Sequence, residues 1–165
     1  MPKPVYILCA EHVIVDRESN LVSITSVFEK LEINLQVRKT HPGEMPHGVY
    51  RIDKAKSIAV WAKIEGDESQ TFEWMFKVTN PDGMESATDV GLFEFERGRF
   101  LHRFIVTLEL GTIDQSGVLK IASLVRRQGA STWQEQSYDI IVESKVELDA
   151  LLNPADVSPG LLSGE

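Results

Sequence analysis

Residues 71–78, TFEWMFKV, place Phe72, Trp74, Phe76 and Val78 at every second position, with Thr71, Glu73, Met75 and Lys77 between them. A helix would scatter those four apolar side chains around its surface, whereas a strand puts all of them on one face. Aromatic side chains at alternate positions also suit the pleated, half-buried surface of a sheet. This period of two recurs along most of the chain, and a helical period finds almost no match.

Residues 5–15 are apolar and β-branched and read as a buried strand. The polar stretch 16–20 then turns the chain into a second extended run over 21–35, with Val22, Ile24, Ser26 and Phe28 on one face. Two such runs joined by five residues predict a β-hairpin. Residues 57–64 set Ile58, Val60, Ala62 and Ile64 against Ala59, Trp61 and Lys63, and residues 66–69 turn the chain. In Asn80-Pro81-Asp82-Gly83 the proline presets φ for the second turn position, and aspartate and glycine suit the next two. Residues 88–95 read as a shorter, less regular strand. Residues 100–110 put Phe100, His102, Phe104, Val106, Leu108 and Leu110 on one face. Leu119, Ile121, Ser123 and Val125 alternate next, and Tyr138, Ile140 and Val142 mark a last strand.

About eight strands at short, even spacing give the pattern of a sandwich or barrel, and an all-β antiparallel β-sandwich is the expected fold. Only residues 145–152 could form a short helical turn, ended by Asn153-Pro154. Residues 1–152 form one expected domain, which suits a chain of 165 residues. Residues 153–165 hold two prolines, two glycines and no basic residue, and read as a flexible acidic tail.

A formal net charge of -8 sets this surface against phosphate backbones and anionic lipid, so neither nucleic acid nor a membrane is an expected partner. One cysteine excludes an intramolecular disulfide scaffold. The N-terminal residues lack a signal-peptide pattern, no apolar run approaches a membrane span, and a cytoplasmic location is expected.

Candidate chemistry is sparse. Cys9 lies mid-strand between Leu8 and Ala10, where a free cysteine serves as a small core residue rather than an activated thiol. His12, near the end of the first strand, carries no special signal. His41 and His47 share the longest loop, 38–48, with Glu44 between them. Imidazole and carboxylate can bind metal, but this spacing matches no metal motif, and no metal is expected. His102 is in phase with Phe100 and Phe104 and reads as a hydrogen-bonded core histidine. Glu94 and Glu96 share a parity that a glycosidase pair would need, and read more simply as two solvated carboxylates. Arg97, Arg99, Arg103, Arg126 and Arg127 would form one basic patch, able to take a carboxylate or an acidic partner, if their strands were neighbours. Pairing with glutamates on adjacent strands is the favoured reading. No nucleophile elbow or phosphate-binding glycine loop occurs, and no cofactor is implied.

Cys9, Asp16, Ser23-Ile24, Val27-Phe28 and Leu31, followed by Pro46 and the turn from Asn80 to Gly83, form a pattern that resembles a family of small bacterial β-sandwich proteins without an assigned activity. The resemblance covers roughly residues 5–143. It implies a sandwich and a bacterial or phage-related origin, and it carries no catalytic residue over. The expected function is a non-catalytic module for protein binding or assembly. Its partner would be a second polypeptide, another copy of the chain included, met through the 38–48 loop and exposed strand faces. The alternative is a metal-assisted hydrolase built on His41 and His47.

Overall fold

The computed structural model describes residues 1–147 apart from 17, 20, 37–49, 53–54, 68, 109–110 and 114. Among these the chain is all β, in two main sheets. The first is four-stranded and antiparallel throughout. Its order is β2 (Val22–Val27), β1 (Lys3–Val15), β5 (Ala55–Ala62), β9 (Leu101–Leu108). The second runs β3 (Lys30–Gln36), β12 (Gln134–Glu147), β11 (Gly117–Arg127), β6 (Phe72–Thr79), β7 (Glu85–Ala87), with β8 (Gly91–Phe93) also on β6. Its β3–β12 pair is parallel and the others are antiparallel. A separate ladder joins β4 (Tyr50–Ile52) to β10 (Gly111–Ile113).

The expected first hairpin is present as β1–β2, with Ala10 opposite Val27 and Val15 opposite Val22. Asp16 closes it. Its carboxylate accepts from the Glu18 and Ser19 amides at 2.8 and 2.7 Å, and these bonds hold its carboxyl below the ordinary range. The acidic group beside the first strand is thus a turn former.

The run over 21–35 does not stay one strand. Ser26 adopts φ 56°, a left-handed conformation that breaks the extended path. The Phe28 amide donates to the Cys9 carbonyl at 2.9 Å, and the Ile141 amide donates to the Glu29 carbonyl at 3.1 Å. Two residues of this link therefore touch different sheets, and the chain passes from the four-stranded sheet to the six-stranded one.

The region around 88–95 is likewise divided. β7 lies opposite Lys77–Thr79 and β8 opposite Phe72–Trp74, on the same edge of β6. Between them the Thr88 amide donates to the Phe76 carbonyl at 2.9 Å, and the Phe76 amide donates to the Thr88 hydroxyl at 3.0 Å. A side chain has taken the place of a ladder carbonyl. The helical turn expected at 145–152 is not found in its first three residues. Lys145, Val146 and Glu147 extend β12 and pair in parallel with Asn34, Leu35 and Gln36, a ladder that satisfies their backbone in place of helical bonds. The rest of that stretch, and the tail 153–165, lie outside the described residues.

The sheets face each other across one apolar core. Cys9, Ala59, Trp61 and Phe104 come from the four-stranded sheet, and Phe72, Phe76, Ile121, Val125, Ile140 and Val142 from the six-stranded one. The Trp61 indole donates to the Ser123 hydroxyl at 3.0 Å across the gap, which pairs two polar groups that would otherwise be costly to bury. Ile58 and Val60, at the alternate positions of β5, are buried on the opposite face of that strand with Ala10 and Val13. β5 is thus covered on both faces.

Candidate functional site: an open strand edge and its groove

An edge strand exposes a row of backbone donors and acceptors that can pair with another chain, and folded proteins usually blunt such edges. Of the four edges of the two main sheets, three carry a recognisable device among the described residues. β2 is six residues long and is kinked at the left-handed Ser26, one residue before its end. β3 begins with Lys30, whose ammonium binds Glu143 at 2.8 Å and Glu32 at 3.1 Å. The β7–β8 edge is broken at 88–90 and resumes at Gly91, whose backbone lies hard against the Trp74 indole.

β9 has none of these. It runs eight residues in unbroken register, Leu101 opposite Ala62 through Leu108 opposite Ala55. It contains no proline, glycine or lysine. Among the described residues it pairs with β5 alone. Its side chains divide as the period demands. Phe104 and Leu108 enter the core, while Leu101 and Ile105 stay 55% and 37% exposed.

An open groove of about 660 Å³ lies beside this strand, floored by Val60 and flanked by Val5, Tyr6, Leu101 and Ile105. A register shift between Pro4 and Tyr6 breaks the alternation of β1, and Val5 and Tyr6, consecutive in sequence, both line the groove. Arg99 and Arg103 supply positive charge, and Glu96 pairs with Arg99 at 2.7 Å. Phe100 lies outside the core face on which the sequence pattern would set it. It precedes β9, is 72% exposed, and has the Lys63 ammonium 5.3 Å from its ring centre.

His102 lines one flank of the groove and is half-buried. Its imidazole packs on Phe93 and Phe104, with centroids 4.4 and 4.6 Å away. Burial pushes its pKa down, and the nearby Glu96 charge acts the other way. The ring contacts bear on the packing half of the expected hydrogen-bonded core histidine: the imidazole lies among core aromatics, at the margin of the core rather than fully inside it.

The remaining candidates fall as follows. Cys9 is fully buried and its thiol is pushed up to about 12 by burial, so it is a core residue. His12 is exposed, with Glu11 3.6 Å away. β8 ends at Phe93, so Glu94 and Glu96 lie in the loop beyond it. Glu94 accepts from the Thr71 hydroxyl at 2.8 Å and Glu96 faces Arg99. Of the five arginines, Arg99 and Arg103 meet at the groove, and Arg97 sits in the loop before it. Arg126 and Arg127 end β11, in the other sheet. Arg126 is engaged by the Glu73 carboxylate and lies 4.2 Å from the Trp133 ring centre. His41, Glu44 and His47 lie outside the described residues. Among the described residues no three His, Cys, Asp or Glu side chains cluster as metal ligands would.

No helix among the described residues is long and apolar enough to cross a membrane. No protein-family model matches the chain, and no curated protein matches it.

Proposed function

We propose that the chain is a non-catalytic β-sandwich module that binds another protein by accepting a strand at β9. The observation that carries this reading is the contrast among the edges of the two main sheets: among the described residues β9 alone is long, regular and unblunted, and it borders an apolar groove. Strand addition draws affinity from main-chain hydrogen bonds and specificity from alternate side chains, and β9 supplies both requirements. Leu101, Ile105, Val5 and Tyr6 offer apolar surface at a rim where arginine adds polarity, the composition expected of an interaction patch. The one thiol is withdrawn into the core and offers no nucleophile.

Affinity capture from the cells that express the protein tests the proposal, with the wild type compared against Leu101→Lys and Ile105→Lys. Lysine at an edge blocks pairing without entering the core. A protein held in stoichiometric amount by the wild type and lost from both variants is the expected result. Equal retention by all three proteins would remove β9 as the docking edge. A stoichiometric metal lost on His41→Ala/His47→Ala would favour the hydrolase alternative instead.

A further inference from the structure

We infer that His102 is a pH-sensitive latch on the wall of the groove: its neutral imidazole holds the 94–100 link to β9, and its protonation releases that link. The latch stands on ring contacts, and only its consequence for docking rests on the proposed function. β8 ends at Phe93 and β9 begins at Leu101, so residues 94–100 cross from one sheet to the other. The link is tied at both ends. Glu94 accepts from the Thr71 hydroxyl at 2.8 Å, and the Phe100 carbonyl accepts from the Lys63 amide at 2.7 Å. Between these ties the chain turns at Gly98, with φ 79°, and the Arg99 amide donates to the Glu96 carbonyl at 3.0 Å. Phe95 holds this middle part inward. Its ring meets Phe72, Phe93 and His102 with centroids 5.8, 5.5 and 6.1 Å away. His102 also packs on Phe93 and on Phe104 of its own strand. Among the described ring contacts it is the one through which Phe95 reaches β9.

Protonation works against this arrangement. An imidazolium held among three phenylalanine rings loses hydration that those rings do not replace, whereas the neutral ring packs without that cost. The charged groups on the elements around it are Glu94, Glu96, Arg97 and Arg99 of the link, Lys63 just past β5, and Arg103 beside it on β9. Burial is the larger influence and lowers its pKa from 6.5, and the Glu96 charge acts the other way. His102 is half-buried at the flank of the groove, so a change of rotamer carries the charged ring toward water and Glu96. The neutral ring thus has one place and the charged ring another, which is what a histidine switch requires. Glu96, Arg99 and Phe100 stand on the same wall of the groove. Loosening the link remodels the surface beside β9 and weakens docking there as pH falls.

NMR on the full-length protein tests this. Nuclear Overhauser contacts between aromatic rings are read while the His102 signals are titrated from about pH 7.5 to about pH 5. Contacts from His102 to Phe93 and Phe95 are expected at the upper end. They should disappear with the midpoint of the ring's own titration, below 6.5. The Phe72–Phe93 contact should persist throughout, which separates release from unfolding. Protection of the Arg99 amide against hydrogen exchange should be lost on release. His102→Phe, with no group to protonate, should keep the link closed at both ends of the range, and Glu96→Gln should move the midpoint down. Ring contacts that survive protonation, as a cation–π arrangement would allow, would overturn the inference. So would a His102 ring that stays neutral to about pH 5, or a loss of Arg99 protection that His102→Phe leaves in place. Docking is scored separately, by partner capture at the two ends of the pH range. If the latch opens and capture is unchanged, the latch stands and its control of docking falls. If Leu101→Lys and Ile105→Lys retain the partner while the ring contacts behave as expected, docking at β9 falls and the latch stands.

Discussion

Trp74 of β6 and Phe104 of β9 stack with their ring centroids 4.6 Å apart, one ring from each sheet. Phe93 meets the same Phe104 ring edge-on at 4.9 Å. β9 is therefore anchored from behind by an aromatic cluster. Phe104→Ala should cost about 3–5 kcal/mol, the range for deleting a buried aromatic ring. Ile105→Lys, one residue on and facing outward, should cost less than about 1 kcal/mol. Chemical denaturation of both variants checks the pair, and similar losses would mean that the two faces of β9 are not as distinct as their exposure implies.

Gly91 resumes the broken edge strand where the Trp74 indole passes close by. A Cβ built there would lie 2.4 Å from the indole nitrogen and 2.7 Å from an adjoining ring carbon. The indole cannot yield freely, because Phe104 stacks on it. Gly91→Ala should destabilise by about 1–3 kcal/mol, as overpacking does. A thermal midpoint equal to that of the wild type would show that Trp74 moves aside without loss.

Ser26 carries a left-handed φ of 56° without glycine's freedom. Such a conformation costs an L-residue about 1–2 kcal/mol, while glycine costs part of that back through the unfolded chain. Ser26→Gly should raise stability by about 0.5–1 kcal/mol, measured by urea denaturation. A loss would indicate that the serine side chain holds this sheet-crossing link by itself.

This same residue shows why part of the fold was hidden in the sequence. The period of two located the core-facing residues of β6, β11 and β12, because each strand packs one face against the opposite sheet and its apolar residues there follow the pleat, although in β11 Ala122 and Leu124 on the other face are buried too. The run over 21–35 read as one strand because a serine gives no local sign of the bend at 26. β5 read as a simple alternation, yet both of its faces are buried, and the second depends on Ala10 and Val13 of β1. Lys145–Glu147 joined β12 through a partner more than a hundred residues earlier in the chain, which no local pattern reveals. The candidate site was hidden for the same reason. The sequence showed the phase of β9 from His102 to Leu108, but whether a strand has a neighbour on both sides is a property of topology. His41, Glu44 and His47, which their place in the longest loop brought forward, lie outside the described residues.

His102 should make stability depend on pH. Burial among Phe93, Phe95 and Phe104 lowers its pKa from the ordinary value of 6.5, with Glu96 opposing the shift. Below that value the unfolded chain takes up a proton that the folded chain resists, so the neutral form's contribution is present above 6.5 and is lost as pH falls toward the folded pKa. His102→Phe should flatten this part of the stability–pH curve. Titration of the His102 ring signals by NMR at or above the ordinary histidine range would contradict the expectation.

Amide hydrogen exchange across β9 in the presence and absence of the captured partner tests the docking edge most directly. In the protein alone, the β9 amides directed away from β5 have no ladder partner among the described residues and should exchange fast. With the partner bound, slowing should be concentrated at alternate residues from Leu101 to Leu108, the mark of a strand added at that edge. Unchanged exchange in β9, with protection appearing instead at another edge or in the loops, would contradict strand addition at this site.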